Sequence, residues 1–184
     1  MAGTLEREIK LRFDSAAAAS DAIRAAGGVQ IRERRLQADA ILDTEHATIR
    51  NSRCALRVRV EPDGCFLTYK GPPQPSTMKL REELETAVAD GPLVLAMFER
   101  LGFGVWFRSE KYREEFSLHD VVVAIDDTPV GAFVEIEGTE EGIGRAAALL
   151  KRGPEDYVVE SYRSLFVQHC LERGLPPGDM LFSR

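Results

Sequence analysis

The sequence predicts an α+β fold in which an antiparallel β-barrel carries helices packed on its outside, and three observations predict it. Residues 5–13, LEREIKLRF, alternate so that Glu6, Glu8, Lys10 and Arg12 share one face of a strand while Leu5, Ile9, Leu11 and Phe13 share the other, interrupted only by Arg7. Later strand-like segments repeat the pattern, with Arg57 and Arg59, then Arg81, Glu83 and Glu85, then Lys111 and Arg113, then Glu135 and Glu137 on their charged faces. The segments between them read as capped helices able to cover the apolar faces, and a barrel turns the other face of every strand inward.

The elements follow in order. After the first strand, DSAAAASDAIRAAGG offers Asp14 or Ser15 as N-cap, an alanine-rich body and a stop at Gly27-Gly28, which predicts a helix. ADAILDTE, residues 38–45, reads as a short strand. CALRVRVEPDGCFLTYKG reads as a hairpin turning through Pro62-Asp63-Gly64. GPPQPSTM, residues 71–78, has too much proline for a central strand and reads as an exposed loop. KLREELETAV fits a helix by composition and a strand by alternation, and is taken as a strand.

DGPLVLAMFERLGF has Asp90 as a cap, Pro92 in the first turn, an apolar stripe through Leu93, Met97, Phe98 and Leu101, and Gly102 as a stop. Strands follow at WFRSEKYREEFSL, VVVAIDD and GAFVEIEG, with turn chemistry from Asp127 to Gly131. Two helices close the chain, TEEGIGRAAALLKRG stopping at Gly153-Pro154 and SYRSLFVQHCLERG stopping at Gly174.

At 184 residues and 44% hydrophobic content, one domain over residues 1–184 is the default. A net charge of −6 argues against a general nucleic-acid binder, so no nucleic-acid partner is expected and any basic site must be local. Cys54, Cys65 and Cys170 form no disulfide framework or zinc spacing. No apolar run approaches ~20 residues and the N-terminus reads into a charged strand, so no membrane partner is expected and the reading is soluble and cytoplasmic. His46, His119 and His169 stand in no ligand or triad spacing, and Trp106 with Phe103 and Phe107 reads as core.

A half-solvated sheet also has a polar outer face. What sets this chain apart is clustering by sign: Glu-x-Glu recurs in the first strand, in REELE and in VEIEG, while Arg-x-Arg and Lys-x-Arg occupy other strands. Paired carboxylates are oxygen ligands suited to Mg²⁺ or Mn²⁺, and lysine and arginine suit phosphate oxygens. Converging inside a barrel, they would make a receptacle for a metal-polyphosphate.

EREIK, residues 6–10, resembles the E-x-E-x-K motif of the CYTH superfamily, the triphosphate tunnel metalloenzymes that include class IV adenylyl cyclases and thiamine triphosphatases. ALRVR, LTYKGP, REELET, LGF, EKYREEF, AIDD and GAFVEIEG follow in the family's order, and SYRSL is similar to its late tyrosine segment. TYKGP followed by REELE is most similar to the cyclase-like branch. The resemblance implies an eight-stranded tunnel in which Glu6, Glu8, Glu135 and Glu137 hold Mg²⁺ or Mn²⁺, with Asp126 and Glu85 as second choices. It implies Lys10, Arg57, Arg59, Lys70, Arg81, Lys111 and Arg113 on the triphosphate, and Glu6, Glu8, Lys10 and Glu137 as the catalytic set.

Glu83 is expected to pair with a cation, and Arg12, Arg32, Arg34, Arg35 and Arg108 to be surface or rim charges. Where relatives commonly carry Tyr-x-Asp-Thr, this chain has Ile41-Leu42-Asp43-Thr44, so a phenol is missing at one end of the tunnel. The implied partner is a small-molecule triphosphate (ATP, thiamine triphosphate or tripolyphosphate), and a homodimer is compatible with the family. Three functions are thus expected in order: ATP cyclisation, triphosphate hydrolysis, and non-catalytic polyphosphate or nucleotide sensing. Inward carboxylates disfavour the last, because a pure anion binder gains nothing from them.

Overall fold

The computed structural model describes residues 4–183. Eight strands close into an antiparallel barrel in the order β1-β5-β4-β3-β2-β6-β7-β8, the last pairing back to β1. They are β1 (Thr4–Phe13), β2 (Val29–Thr44), β3 (Ala55–Glu61), β4 (Gly64–Lys70), β5 (Lys79–Val88), β6 (Phe103–Leu118), β7 (Val121–Thr128) and β8 (Gly131–Glu137). The helices are α1 (Ala16–Ala25), α2 (Thr48–Asn51), α3 (Gly91–Arg100), α4 (Glu140–Leu149) and α5 (Tyr162–Glu172). None of them is long and apolar enough to cross a membrane.

The outward face of β1 explains the closure. Ile9 and Leu11 are fully buried with Phe116, Val123, Ile125, Val134 and Ile136 against Ile23 of α1 and Ile143, Ala146 and Ala147 of α4. Each such aliphatic side chain stabilises the fold by about 1.5–3 kcal/mol relative to exposure. Ser15, not Asp14, caps α1 by accepting from the Ala18 amide, and Asp90 caps α3 by accepting from Leu93. Gly27 and Gly102 end those helices at φ +91° and +86°, the left-handed region that favours glycine.

Two elements differ from expectation. β2 is 16 residues long and begins at Val29, because register shifts around Arg32 and Arg35 break the alternation that would have revealed its first half. On α3 only part of the apolar stripe is packed: Phe98 meets Phe103 edge-on at 5.4 Å, while Leu93, Met97 and Leu101 stay exposed. The ambiguous KLREELETAV is a strand, pairing with β1 and β4.

The C-terminal segment completes the wall. Val158 exchanges two backbone hydrogen bonds with Lys10, beyond the last β1–β5 pair, and Met180 bonds to Arg108 and Glu110 on β6. These anchors seat α5 with Tyr162 at the lumen.

Candidate active site

The lumen is a cavity of about 1160 Å³. Alternation on β1, β3, β5, β6 and β8 delivers Glu6, Glu8, Lys10, Arg57, Arg59, Arg81, Glu83, Glu85, Lys111, Arg113, Glu135 and Glu137 to its surface, with Lys70 from β4. Lys10, 1% exposed, sits between Glu8 at 3.1 Å and Glu135 at 3.6 Å.

One wall is a set of cations braced from behind. Asp126 is fully buried and does not line the cavity; its carboxylate accepts hydrogen bonds from Lys111 Nζ (2.7 Å), from two nitrogens of Arg113 (2.6 Å each) and from the Tyr162 hydroxyl (2.7 Å). Those bonds fill a carboxylate's acceptor capacity. Arg113 also pairs with Glu135. Burial, then the neighbouring Arg113, lower Lys111 to about 8. Burial, then the charges of Asp126 and Glu135, hold the Tyr162 phenol well above its ordinary value. Next to this wall, across the β2–β6 pairing, Arg59 makes a two-pronged pair with Asp39 at 2.7 and 2.8 Å. Arg57 Nε and Arg81 Nε are buried with no hydrogen-bond partner, although the Arg57 guanidinium bonds Thr68 and Glu85 and Arg81 Nε lies 3.5 Å from Glu6.

The other wall collects carboxylates. Glu8 on β1 lies directly opposite Glu137 on β8, a like-charge pairing that is unfavourable without a counter-ion. Burial, then repulsion from Glu8, raises Glu6 to about 7 although Lys70 donates to it at 2.7 Å. Desolvation, then Glu8 and Glu83, also raise Glu137, whose carboxylate has no hydrogen bond or ion pair among the described residues. For Glu8, burial is outweighed by Lys79 at 2.5 Å and by Lys10, and its pKa falls well below the ordinary value. No three acids surround one point among the described residues. The donor set of carboxylate oxygens nevertheless suits a hard divalent cation, which would oppose the repulsion that raises Glu6 and Glu137 beside Glu8.

Several side chains fall elsewhere than the sequence placed them. Arg32 and Arg35 line the cavity, Arg35 buried in a network with Glu61 (2.8 Å) and Glu115 (2.9 Å), because the bulged start of β2 turns both inward. Arg12, Arg34 and Arg108 stay outside the lumen. Trp106, expected in the core, is 36% exposed and lines the cavity. Lys79, Asp39, Gln37, Glu61 and Tyr162 are lumen residues the sequence reading missed. Lys79 shares the parity of Arg81 and Glu83, and Asp39 that of Ile41, so strict alternation could have found both.

The CYTH domain family model matches residues 4–152. The chain belongs to the CYTH domain family. It is 30% identical over 148 residues, 80% of this chain and 84% of the other, to a Methanocaldococcus jannaschii protein named as a candidate adenylate cyclase. Solved structures share the CYTH fold: a candidate adenylate cyclase from Vibrio parahaemolyticus (TM-score 0.76, 20% identity, 89% of this chain and 98% of that one) and the PH1012 protein of Pyrococcus horikoshii (TM-score 0.74, 25% identity, 87% and 98%). A Hippeastrum adenylyl cyclase candidate described as having a dominant triphosphatase activity also superposes (TM-score 0.65, 19% identity, 94% and 97%).

Proposed function

We propose that the chain is a divalent-metal-dependent enzyme acting on a triphosphate, and that its reaction is cyclisation of ATP to cyclic AMP and pyrophosphate. The observation that carries the triphosphate reading is the convergence of six lysine and arginine side chains on one lumen, where the Nε groups of Arg57 and Arg81 have no hydrogen-bond partner. Arg57, Arg59, Lys70, Arg81, Lys111 and Arg113 would hold the phosphate oxygens. Lys10 and Lys79 would balance charge beside Glu8.

Glu6, Glu8 and Glu137, with Glu135 beside them, would hold Mg²⁺ or Mn²⁺. When bound, the ion would add charge neutralisation and polarise the reacting phosphoryl group. Glu85, bonded by Arg57 and Thr68, and Asp126, bonded by Lys111, Arg113 and Tyr162, are better read as positioning residues for those cations. In cyclisation the ribose 3′-oxygen forms a bond to the α-phosphorus, the bond from that phosphorus to the bridging oxygen of pyrophosphate breaks, and the hydroxyl proton leaves to solvent. The cations stabilise the charge that accumulates on the phosphate oxygens.

Triphosphate hydrolysis is the second reading. Ile41 offers no polar group at its end of the lumen, in-line attack by a sugar hydroxyl tolerates misplacement poorly, and the Hippeastrum neighbour is described as chiefly a triphosphatase. The test is a panel of ATP, GTP, thiamine triphosphate and tripolyphosphate with Mg²⁺ or Mn²⁺, with products separated by chromatography. Cyclic AMP as the main product from ATP supports the first reading, and orthophosphate with ADP, or AMP with pyrophosphate, replaces it with the second.

A further inference from the structure

Trp106, the chain's single tryptophan, stands where a regular strand would not put it. Across β2 and β6, Ile41 pairs with Phe107 and Leu42 with Val105, which leaves Trp106 as an extra residue in a bulge. A bulge re-aims side chains, and here Trp106 and Phe107, consecutive in sequence, both line the cavity that alternation would give to only one of them. Phe107 is packed at 4% exposure, but Trp106 is 36% exposed. A large apolar ring about a third exposed on a cavity wall offers contact surface that core packing does not use.

Its surroundings define the ligand. Arg50 of α2 lies 4.9 Å from the indole centroid, and Arg163 of α5 lies 5.6 Å from it and 4.7 Å from the Phe107 ring. Arg163 is held by the Gly178 carbonyl at 3.0 Å and Arg50 by Asp43 at 3.7 Å. Asp43 is buried and its oxygens accept from the Thr44, Ile49 and Arg50 amides; Glu85, in the same row of paired residues as Ile41, is taken by Arg57 and Thr68. Arg53 adds a third guanidinium to this end of the cavity. Flat guanidinium and indole faces bind planar rings by stacking, and a cluster of guanidiniums opposes a cationic ring.

We infer that Trp106, with Arg50 and Arg163, forms the subsite for the organic group of the triphosphate, and that this group is a planar, uncharged heteroaromatic ring of the nucleobase type rather than a cationic thiazolium. The inference rests on the tunnel holding the triphosphate, and it assigns what lies beyond the phosphates.

The test titrates ATP, thiamine triphosphate and inorganic tripolyphosphate into the full chain with Mg²⁺, using calorimetry for affinity and rapid-mixing fluorescence of Trp106 read before turnover. ATP is expected to change the tryptophan emission and tripolyphosphate to leave it nearly unchanged. Trp106→Ala should weaken ATP about tenfold or more while tripolyphosphate stays within about twofold. Trp106→Phe should keep most of the ATP affinity, and Arg163→Gln, which spares the indole, should lose part of it. An ATP-to-tripolyphosphate preference identical in wild type, Trp106→Ala and Arg163→Gln would overturn the subsite, as would tighter binding of thiamine triphosphate than of ATP. Absence of tripolyphosphate binding in the wild type would instead overturn the tunnel reading beneath it.

Discussion

On the β6–β7 wall, Lys111 and Arg113 lean on Asp126 and Tyr162 with every acceptor site of the carboxylate filled. On the β1–β8 wall, Glu8 faces Glu137 across the ladder, Glu6 is pushed up to about 7, and Glu137 has no partner among the described residues. Both walls are charged and their inner residues are buried, yet one has its carboxylate fully bonded while the other leaves Glu137 exposed and unbonded among the described residues. Burying charge is costly unless each ion is matched, so the complete wall contributes to the fold and the incomplete one is tolerated for what binds there.

That contrast is best broken by substitutions that separate activity from stability. The largest expected effect is on turnover: Glu8→Gln, Glu6→Gln and Glu137→Gln should each cost more than about 100-fold in initial rate with saturating metal. Denaturant midpoints of Glu6→Gln and Glu137→Gln should not fall, since each relieves repulsion; a matching loss of stability would put these residues on the structural side of the contrast.

Asp126→Asn should do the reverse. It leaves Lys111 buried without its hydrogen-bonded counter-ion and Arg113 with Glu135 alone, and should destabilise by about 3–5 kcal/mol in a denaturant titration. A variant as stable as wild type would contradict the bracing role.

Acid should act through Asp39 next. Burial opposes its charge but Arg59 and then Arg57 outweigh this, and its folded pKa lies below the ordinary carboxylate range. A depressed folded pKa contributes stability that is present above the unfolded value of about 3.9 and is lost as pH falls below it toward the folded one. Asp39→Asn should therefore flatten the acid limb of a stability-against-pH curve, and an unchanged limb would remove Asp39 from the account.

The smallest effect belongs to Tyr162→Phe, which deletes one hydrogen bond to the Asp126 carboxylate and should cost about 1.5–3 kcal/mol. A loss as large as that of Asp126→Asn would mean the phenol, not the carboxylate, holds the wall.

Much of this was legible in the sequence wherever alternation was intact. E-x-E-x-K on β1 and Glu135 and Glu137 on β8 pointed into the lumen because period-two strands leave no choice. The first half of β2 was hidden because its register slips around Arg32 and Arg35. Trp106 read as core for the same reason, since a bulge has no signature in hydropathy. Asp126 shares the parity of Val122 and Ala124, which line the lumen, and only the side-chain packing separates an acid facing the lumen from one standing behind its cations. Tyr162 lies in a helix whose seat depends on backbone pairing of Val158 with Lys10 and of Met180 with β6, long-range contacts that no local pattern encodes.

The central claim is that the inward charges form a receptacle for a metal-bound triphosphate. Calorimetric titration of tripolyphosphate with Mg²⁺ into the full chain, compared with Arg57→Ala, tests it most directly. The account predicts saturable binding of one tripolyphosphate per chain, weakened by salt and reduced about tenfold or more in the variant, because buried guanidinium bonds to phosphate are lost. No binding heat in the wild type, or equal affinity in wild type and variant, would contradict it.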